Sequence, residues 1–254
     1  MLKSRVIPCL LLKNRGLVKT VKFKDPRYIG DPINCVKIFN DKEVDELVFL
    51  DIQATMGKRK PQFDIISDIA SECFMPLCYG GGINTLEDIQ KILNIGVEKI
   101  AINSHAIEKP EFVRDASRAF GSQSIVVSID VKKSLFGKYQ VYSDSGIKST
   151  RLTPIEHAMR MEEMGAGEIL LNSIDKDGTM AGYDLELIKM VSESVHIPVI
   201  ACGGAGDISH FKEAIDFGKA SAVAAGSLFV FQGSLRAVLI NYPEYKVLEN
   251  LLNG

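Results

Sequence analysis

Two glycine-rich stretches have the chemistry of anion cradles. Cys78-Tyr79-Gly80-Gly81-Gly82-Ile83 and Cys202-Gly203-Gly204-Ala205-Gly206 each close an apolar run. Glycine lets backbone N–H groups approach a ligand, and a helix start just beyond favours negative charge. Ala101-Ile102-Asn103-Ser104 and Ala224-Ala225-Gly226-Ser227 close two further runs in the same way. One glycine cluster would be ordinary for a strand-to-helix turn. Here the clusters occupy matching points of an internal repeat: Pro76 aligns with Pro198, Gly82 with Gly204 and Gly96 with Gly218, all at an offset of 122 residues. A weaker pairing sets Val6–Leu11 on Ile125–Asp130 at an offset of 119. The pattern predicts two equivalent anion sites, built on Gly81, Gly82, Asn103 and Ser104 in one half and on Gly203, Gly204, Ala225, Gly226 and Ser227 in the other. The expected ligand carries two phosphates or similar anionic ends.

Asp130 closes the run SIVVSID, where alternation points Ser124, Val126, Ser128 and Asp130 to one side. A carboxylate at the end of such a strand suits general acid or base work, or anchors a loop. Asp51 in LVFLD and Asp177 in SIDKDGT are similar candidates, and the latter also reads as a turn. At the opposite ends of the runs stand Arg5, Glu46, Lys99 and Glu168. Parity aims Arg5 the same way as Cys9 and Leu11, and Lys99 the same way as Ala101 and Asn103. Two cations and two anions on one side can neutralise each other as a ring, either a structural plug or a gate.

The elements that position these residues follow from pattern. Strand-like runs are predicted at Ser4–Leu11, Asp45–Leu50, Pro76–Tyr79, Glu98–Ile102, Ser124–Val131, Glu168–Asn172, Pro198–Cys202 and Ala220–Ala225. Amphipathic helices are predicted near Ile33–Lys42, Phe63–Cys73, Leu86–Leu93, Glu111–Phe120, Ile155–Met164, Leu185–Ser194, His210–Phe217 and Leu235–Asn241. Strict alternation implies a parallel sheet with crossover helices. Eight units within 254 residues fit an α/β fold of the (β/α)8 TIM barrel class, for which about 250 residues is typical. No Gly/Ser-rich or Pro-rich linker divides the chain, so residues 1–254 are expected to form a single barrel domain of two half-barrels. Two connections are long, Lys13–Pro32 and Lys132–Thr153, and both belong to the face where barrels place their chemistry. Within the second, LFGKYQVYS alternates as a small hairpin would.

Composition narrows the partners. Thirty Lys and Arg against 32 Asp and Glu give a net charge of −2, which disfavours nucleic-acid binding driven by bulk charge. No apolar run approaches the ~20 residues of a membrane helix, and the N-terminus lacks the marks of a signal peptide. Cys9, Cys35, Cys73, Cys78 and Cys202 are odd in number and show no CxxC spacing, so neither disulfides nor zinc is expected and a cytoplasmic location fits. His105, His157, His196 and His210 are scattered without metal spacing. No cofactor or metal is implied.

RVIPCL, DELVFLDI, GGGI, KIAINS, FGSQSIVVSID, GAGEILLNSIDKDGT and ACGGAG together resemble the cyclase subunit of the imidazole glycerol phosphate synthase family, over essentially the whole chain. The resemblance implies a heterodimer with a glutaminase, whose ammonia passes through the barrel. A bisphosphorylated ribulosyl intermediate would then be converted to imidazole glycerol phosphate and an aminoimidazole carboxamide nucleotide. It adds Asp177 and Gly178 to the phosphate ligands, makes Arg5, Glu46, Lys99 and Glu168 the ammonia gate, and places Gln123 on the partner-facing surface. The family uses two mouth aspartates. Asp130 matches one, but Leu11 stands at the other, and Leu11 is also the repeat partner of Asp130. A leucine exchanges no proton, so a contribution of roughly 10²–10⁴-fold is lost. Lys13, Lys19 and Asp51 lie nearby in sequence without being equivalent, and Asn172 replaces a family threonine. An intact entrance with one catalytic carboxylate missing resembles the cyclase-like paralogue of bacterial surface-polysaccharide pathways, which supplies ammonia for an acetamidino sugar. The alternatives are an authentic cyclase of histidine biosynthesis and the related barrel isomerase, against which the charge ring and GAGEILL argue.

Overall fold

The computed structural model describes residues 4–134, 136–233 and 235–253. In chain order, β1 (Arg5–Lys13) runs into a hairpin of β2 (Gly16–Val21) and β3 (Lys24–Gly30), followed by α1 (Pro32–Asp41). Next come β4 (Leu47–Asp51), α2 (Phe63–Glu72), β5 (Leu77–Gly80), α3 (Leu86–Ile95), β6 (Lys99–Ile102), a short α4 (Ser104–Glu108) and α5 (Pro110–Phe120). The second half begins with β7 (Ile125–Lys133), which turns back into β8 (Tyr139–Ser143) and β9 (Lys148–Ser149) before α6 (Pro154–Glu163). It continues through β10 (Glu168–Ser173), α7 (Leu185–Ser192), β11 (Val199–Cys202), α8 (Ser209–Asp216) and β12 (Ala222–Ala225). A short α9 (Ser227–Val230), the ribbon of β13 (Phe231–Gln232) and β14 (Ala237–Val238), and α10 (Tyr245–Asn253) end the described chain.

Eight strands pair in parallel and close a ring in the order β1, β4, β5, β6, β7, β10, β11, β12 and back to β1. The closure rests on Arg5 beside Ala222 and Glu168 beside Val126. Parallel neighbours need a crossover, and every crossover here carries a helix. The strands are buried on both faces, so they read as continuous apolar runs. Pleat parity sorts their side chains into two cores. Ile7, Cys9, Val48, Cys78, Ala101, Val126, Leu170, Ile200, Cys202, Ala222 and Ala224 fill the lumen. The alternate residues, such as Leu10, Phe49, Tyr79, Ile100, Val127 and Leu171, pack outward against the helices.

Local signals start and stop the helices. The Asp31 side chain accepts the Asn34 N–H ahead of Pro32, Thr85 accepts the Asp88 N–H, and Thr153 with Glu156 forms a reciprocal capping box. Gly96, at φ +111°, ends α3 in the left-handed conformation. The predicted helix at Leu235–Asn241 is not formed. There Ala237–Val238 pairs with Phe231–Gln232, and the Asn241 N–H bonds back to the Phe229 carbonyl. The left-handed backbone at Gly233 and Arg236 makes the turn, and Pro243 denies a helix its next hydrogen bond.

The two long connections are both ordered ribbons. Lys13–Pro32, expected as a loop, is mostly the β2–β3 hairpin, joined to β1 by the Leu11–Val18 pairing. Of LFGKYQVYS, Leu135 lies outside the described residues. The rest does not fold on itself: Tyr139–Ser143 pairs antiparallel with the end of β7, placing Tyr142 beside Asp130.

Candidate functional site

At the C-terminal ends of the barrel strands lies a cavity of about 710 Å³. Its wall includes Leu11, Asp130 and all eleven residues expected to hold phosphate. Sequence positions as far apart as Gly81 and Ser227 are thus brought to one mouth.

Asp130 ends the inward row of β7 and is 8% exposed. Asn103 Nδ2 donates to its Oδ2 at 3.0 Å. Burial pushes the carboxyl up to about 7, Asp177 adds repulsion in the same direction, and the Asn103 bond partly offsets both. A group titrating there can give or take a proton near neutrality. Leu11 ends the corresponding row of β1, pairs in register with Leu50, and offers only carbon. Asn172 is the register partner of Asp130 on one side and of Cys202 on the other, and its buried Oδ1 accepts no hydrogen bond among the described residues.

The glycine turns are required by close approach. A Cβ on Gly82, at φ +72°, would stand 2.6 Å from the Arg59 carbonyl, and one on Gly204, at φ +120°, 2.2 Å from the Gly182 carbonyl. At Gly226 the intruder is a cation: a Cβ would stand 2.3 Å from Lys19 Nζ. Lys19 projects from β2 into the cavity, is only 6% exposed, and has no ion pair among the described residues. The neighbouring Ser227 Oγ is also buried without a hydrogen-bond partner. A buried ammonium with an unused hydroxyl and a glycine turn is an arrangement able to seat an anion. Lys19 was legible only as a residue near the missing acid, because its burial depends on the hairpin folding over the mouth.

Three candidates have engagements of their own. Asp177 serves as an acceptor for the hairpin: Thr20 Oγ1 donates to Oδ2 at 2.7 Å and the Phe23 N–H at 3.1 Å. The Asp177 carboxylate therefore braces the wall and adds no donor for a phosphate. Asp51 lines the cavity, and its Oδ1 anchors the loop after β4 by accepting the N–H groups of Gln53 and Ala54, at 2.9 and 3.1 Å. Ser104 Oγ accepts the Asp144 N–H at 3.0 Å and contacts Asn103 Oδ1 at 3.4 Å.

At the other end of the lumen the four predicted charges meet. Arg5 pairs with Glu46 and, at 2.6 Å, with Glu168. Lys99 Nζ lies 2.9 Å from Glu46 and 3.0 Å from Glu168. Each cation touches both anions, so the ring is closed and neutral. Glu46 is 2% exposed and Arg5 31%, which places the ring half in protein and half in water. Gln123 is exposed on the short turn preceding β7. All five cysteines are free, and among the described residues no group of His, Cys, Asp and Glu could hold a metal. No described helix is long and apolar enough to cross a membrane.

The chain is thus a (β/α)8 barrel whose mouth gathers two repeat-related glycine turns and a buried carboxyl above a charged ring. Residues 5–236 match the family model "Histidine biosynthesis protein", and the chain belongs to that family. It is 53% identical, over 98% of its length and 99% of the relative's, to the "Putative imidazole glycerol phosphate synthase subunit hisF2" of Pseudomonas aeruginosa. It is 49% identical to the "Putative imidazole glycerol phosphate synthase subunit hisF3" of Vibrio vulnificus, over 96% of this chain and 94% of the relative. It is 44% identical to the "Imidazole glycerol phosphate synthase subunit HisF" of Alkaliphilus metalliredigens, over 90% and 91% of the two chains.

Proposed function

We propose that this chain is the cyclase-like subunit of a glutamine amidotransferase. It takes ammonia from a glutaminase partner at the charged ring and conducts it through the barrel. The end use is acetamidino modification of a surface-polysaccharide sugar. The observation that carries this reading is Leu11 in a mouth whose other parts are in place, above a complete ring of Arg5, Glu46, Lys99 and Glu168.

The physical route is as follows. Between ring and mouth the lumen is lined by Cys9, Val48, Cys78, Ala101, Val126, Leu170 and Ile200, with no charged side chain among these. Neutral ammonia crosses such a lining far more cheaply than ammonium does, because burying an unpaired charge is costly. Lys99 reaches both carboxylates through a single ammonium; swinging it aside would open the ring while Arg5 still bridges Glu46 and Glu168. Gln123 and the exposed Phe74 lie in loops that precede β7 and β5, on the face of the ring, and would meet the glutaminase. In the mouth, Gly81, Gly82, Asn103 and Ser104 would receive one anionic end of a ligand. Gly178, Gly203, Gly204, Ala225, Gly226 and Ser227, with Lys19, would receive the other.

A second reading is an authentic cyclase of histidine biosynthesis, favoured by Asp130, whose carboxyl titrates near neutrality in an anion-lined mouth. Incubating the purified chain with the ribulosyl bisphosphate and an ammonium salt separates the two. The first reading expects complex formation with a glutaminase and negligible imidazole glycerol phosphate. Robust turnover overturns it.

A further inference from the structure

The tip of the β8–β9 turn, Ser143–Ile147, crosses the mouth and holds three different elements. The Asp144 N–H donates to Ser104 Oγ, at the start of α4, at 3.0 Å. Ser145 Oγ donates to the Ile52 carbonyl, just past β4, at 3.0 Å. Gly146 lies against Phe23, the turn residue of the β2–β3 hairpin, so closely that a Cβ there would stand 2.9 Å from the ring. Two consecutive residues of the tip, Asp144 and Ser145, have φ of +53° and +55°. Non-glycine residues are held in that region only at a cost, and such strain persists where surrounding contacts impose it.

The tip sits on a residue of the first anion site. Its Asp144 lines the same cavity as Gly81, Gly82 and Asn103, and no hydrogen bond or ion pair engages its carboxylate among the described residues. A carboxylate is the wrong charge to leave beside an incoming phosphate. Contacts also lead inward from the tip: Ser104 Oγ to Asn103 Oδ1, then Asn103 Nδ2 to Asp130 Oδ2.

We infer that the 143–147 tip is a built-in competitor for the first anion site: an anionic end of the ligand accepts the Ser104 O–H now directed at Asn103 Oδ1, repels the Asp144 carboxylate from the cavity and so lifts the tip off Ser104. Because Ser104 touches Asn103, release of the tip also frees Asn103 to re-aim its bond to Asp130. The inference rests on the reading of the mouth as an anion site.

The test uses the full chain with inorganic phosphate as probe. Amide exchange is followed at Asp144, with chemical shifts followed at Gly81, Gly82, Gly203 and Gly204. Phosphate should shift the glycine amides in both halves and raise exchange at Asp144 toward the rate of an unprotected amide. Asp144→Gly removes the charge and relaxes the backbone, and should tighten phosphate binding at the first site about tenfold, equivalent to ~1.4 kcal/mol. Ser145→Ala cuts the Ile52 bond while leaving Gly81, Gly82, Asn103 and Ser104 unchanged, and should raise Asp144 exchange even without phosphate. Phosphate shifting Gly81 and Gly82 while the Asp144 amide stays protected overturns the inference and leaves the anion site standing. Equal affinity of wild type and Asp144→Gly overturns it likewise. If phosphate shifts no glycine amide in wild type or in either variant, the anion-site reading falls and the inference with it.

Discussion

Leu11 and Asp130 face each other from diametrically opposite walls of one mouth. Their strands, β1 and β7, are four steps apart around the ring in either direction. The repeat relates the two positions, yet one holds a carboxyl that titrates near 7 and the other an aliphatic side chain.

Restoring the pair should restore proton transfer. Leu11→Asp is expected to raise ammonium-driven formation of imidazole glycerol phosphate by roughly 10²–10⁴-fold over wild type. Adding Asp130→Asn to that variant should remove the gain. A Leu11→Asp protein no faster than wild type would show that position 11 is not what limits cyclisation.

Asp130 should weaken the fold at alkaline pH. Its folded-state value of about 7 lies above the ordinary 3.8, so the fold favours the protonated form. Stability from this group is therefore full below pH 3.8 and lost as pH rises toward 7. Above that the cost is at most about 4 kcal/mol. Asp130→Asn should unfold at higher urea than wild type at pH 8, with the difference shrinking by pH 5.

His157 acts at the acid end. It is buried on α6, neither ring nitrogen has a hydrogen-bond partner among the described residues, and burial pushes its value down to about 4 from 6.5. The unfolded chain takes up this proton first, so stability is present above pH 6.5 and lost as pH falls toward 4. The loss reaches about 3 kcal/mol. His157→Leu should flatten urea midpoints across that interval. If the variant shows the same acid limb as wild type, some other group carries it.

The ring is sensitive to removal of its most buried member. Glu46→Gln leaves Arg5 and Lys99 sharing one carboxylate, and a broken buried ion pair typically costs about 3–5 kcal/mol. Water reaches Arg5, so a loss of ~2–3 kcal/mol in urea unfolding is expected. A Glu46→Gln protein as stable as wild type would mean that solvent already screens these charges.

Much of this was legible in sequence, for identifiable reasons. Parallel strands buried on both faces announce themselves as apolar runs, so β1, β7 and β10 could be placed within two residues of their ends. Parity then sufficed to aim Arg5, Lys99 and Asp130 into the lumen. The β2–β3 hairpin was illegible because its two-residue turn is Lys22-Phe23, both with positive φ, where Asn-Gly would have been the signal. With the hairpin unseen, the Lys19 seat and the bracing by Asp177 were unseen too. LRAVLI fits a helix or a strand by period alone, and the turn at Gly233 decided for strand.

The ring is also divided unevenly between the repeats. Arg5, Glu46 and Lys99 come from the first four strand–helix units, and only Glu168 from the last four. Cut at the repeat boundary, one fragment would carry a surplus positive charge at its base and the other a surplus negative one. Two copies of the same fragment would set like against like, whereas the unlike pair cancels. The charges thus act as a key between the fragments, favouring their mutual reassembly over self-pairing.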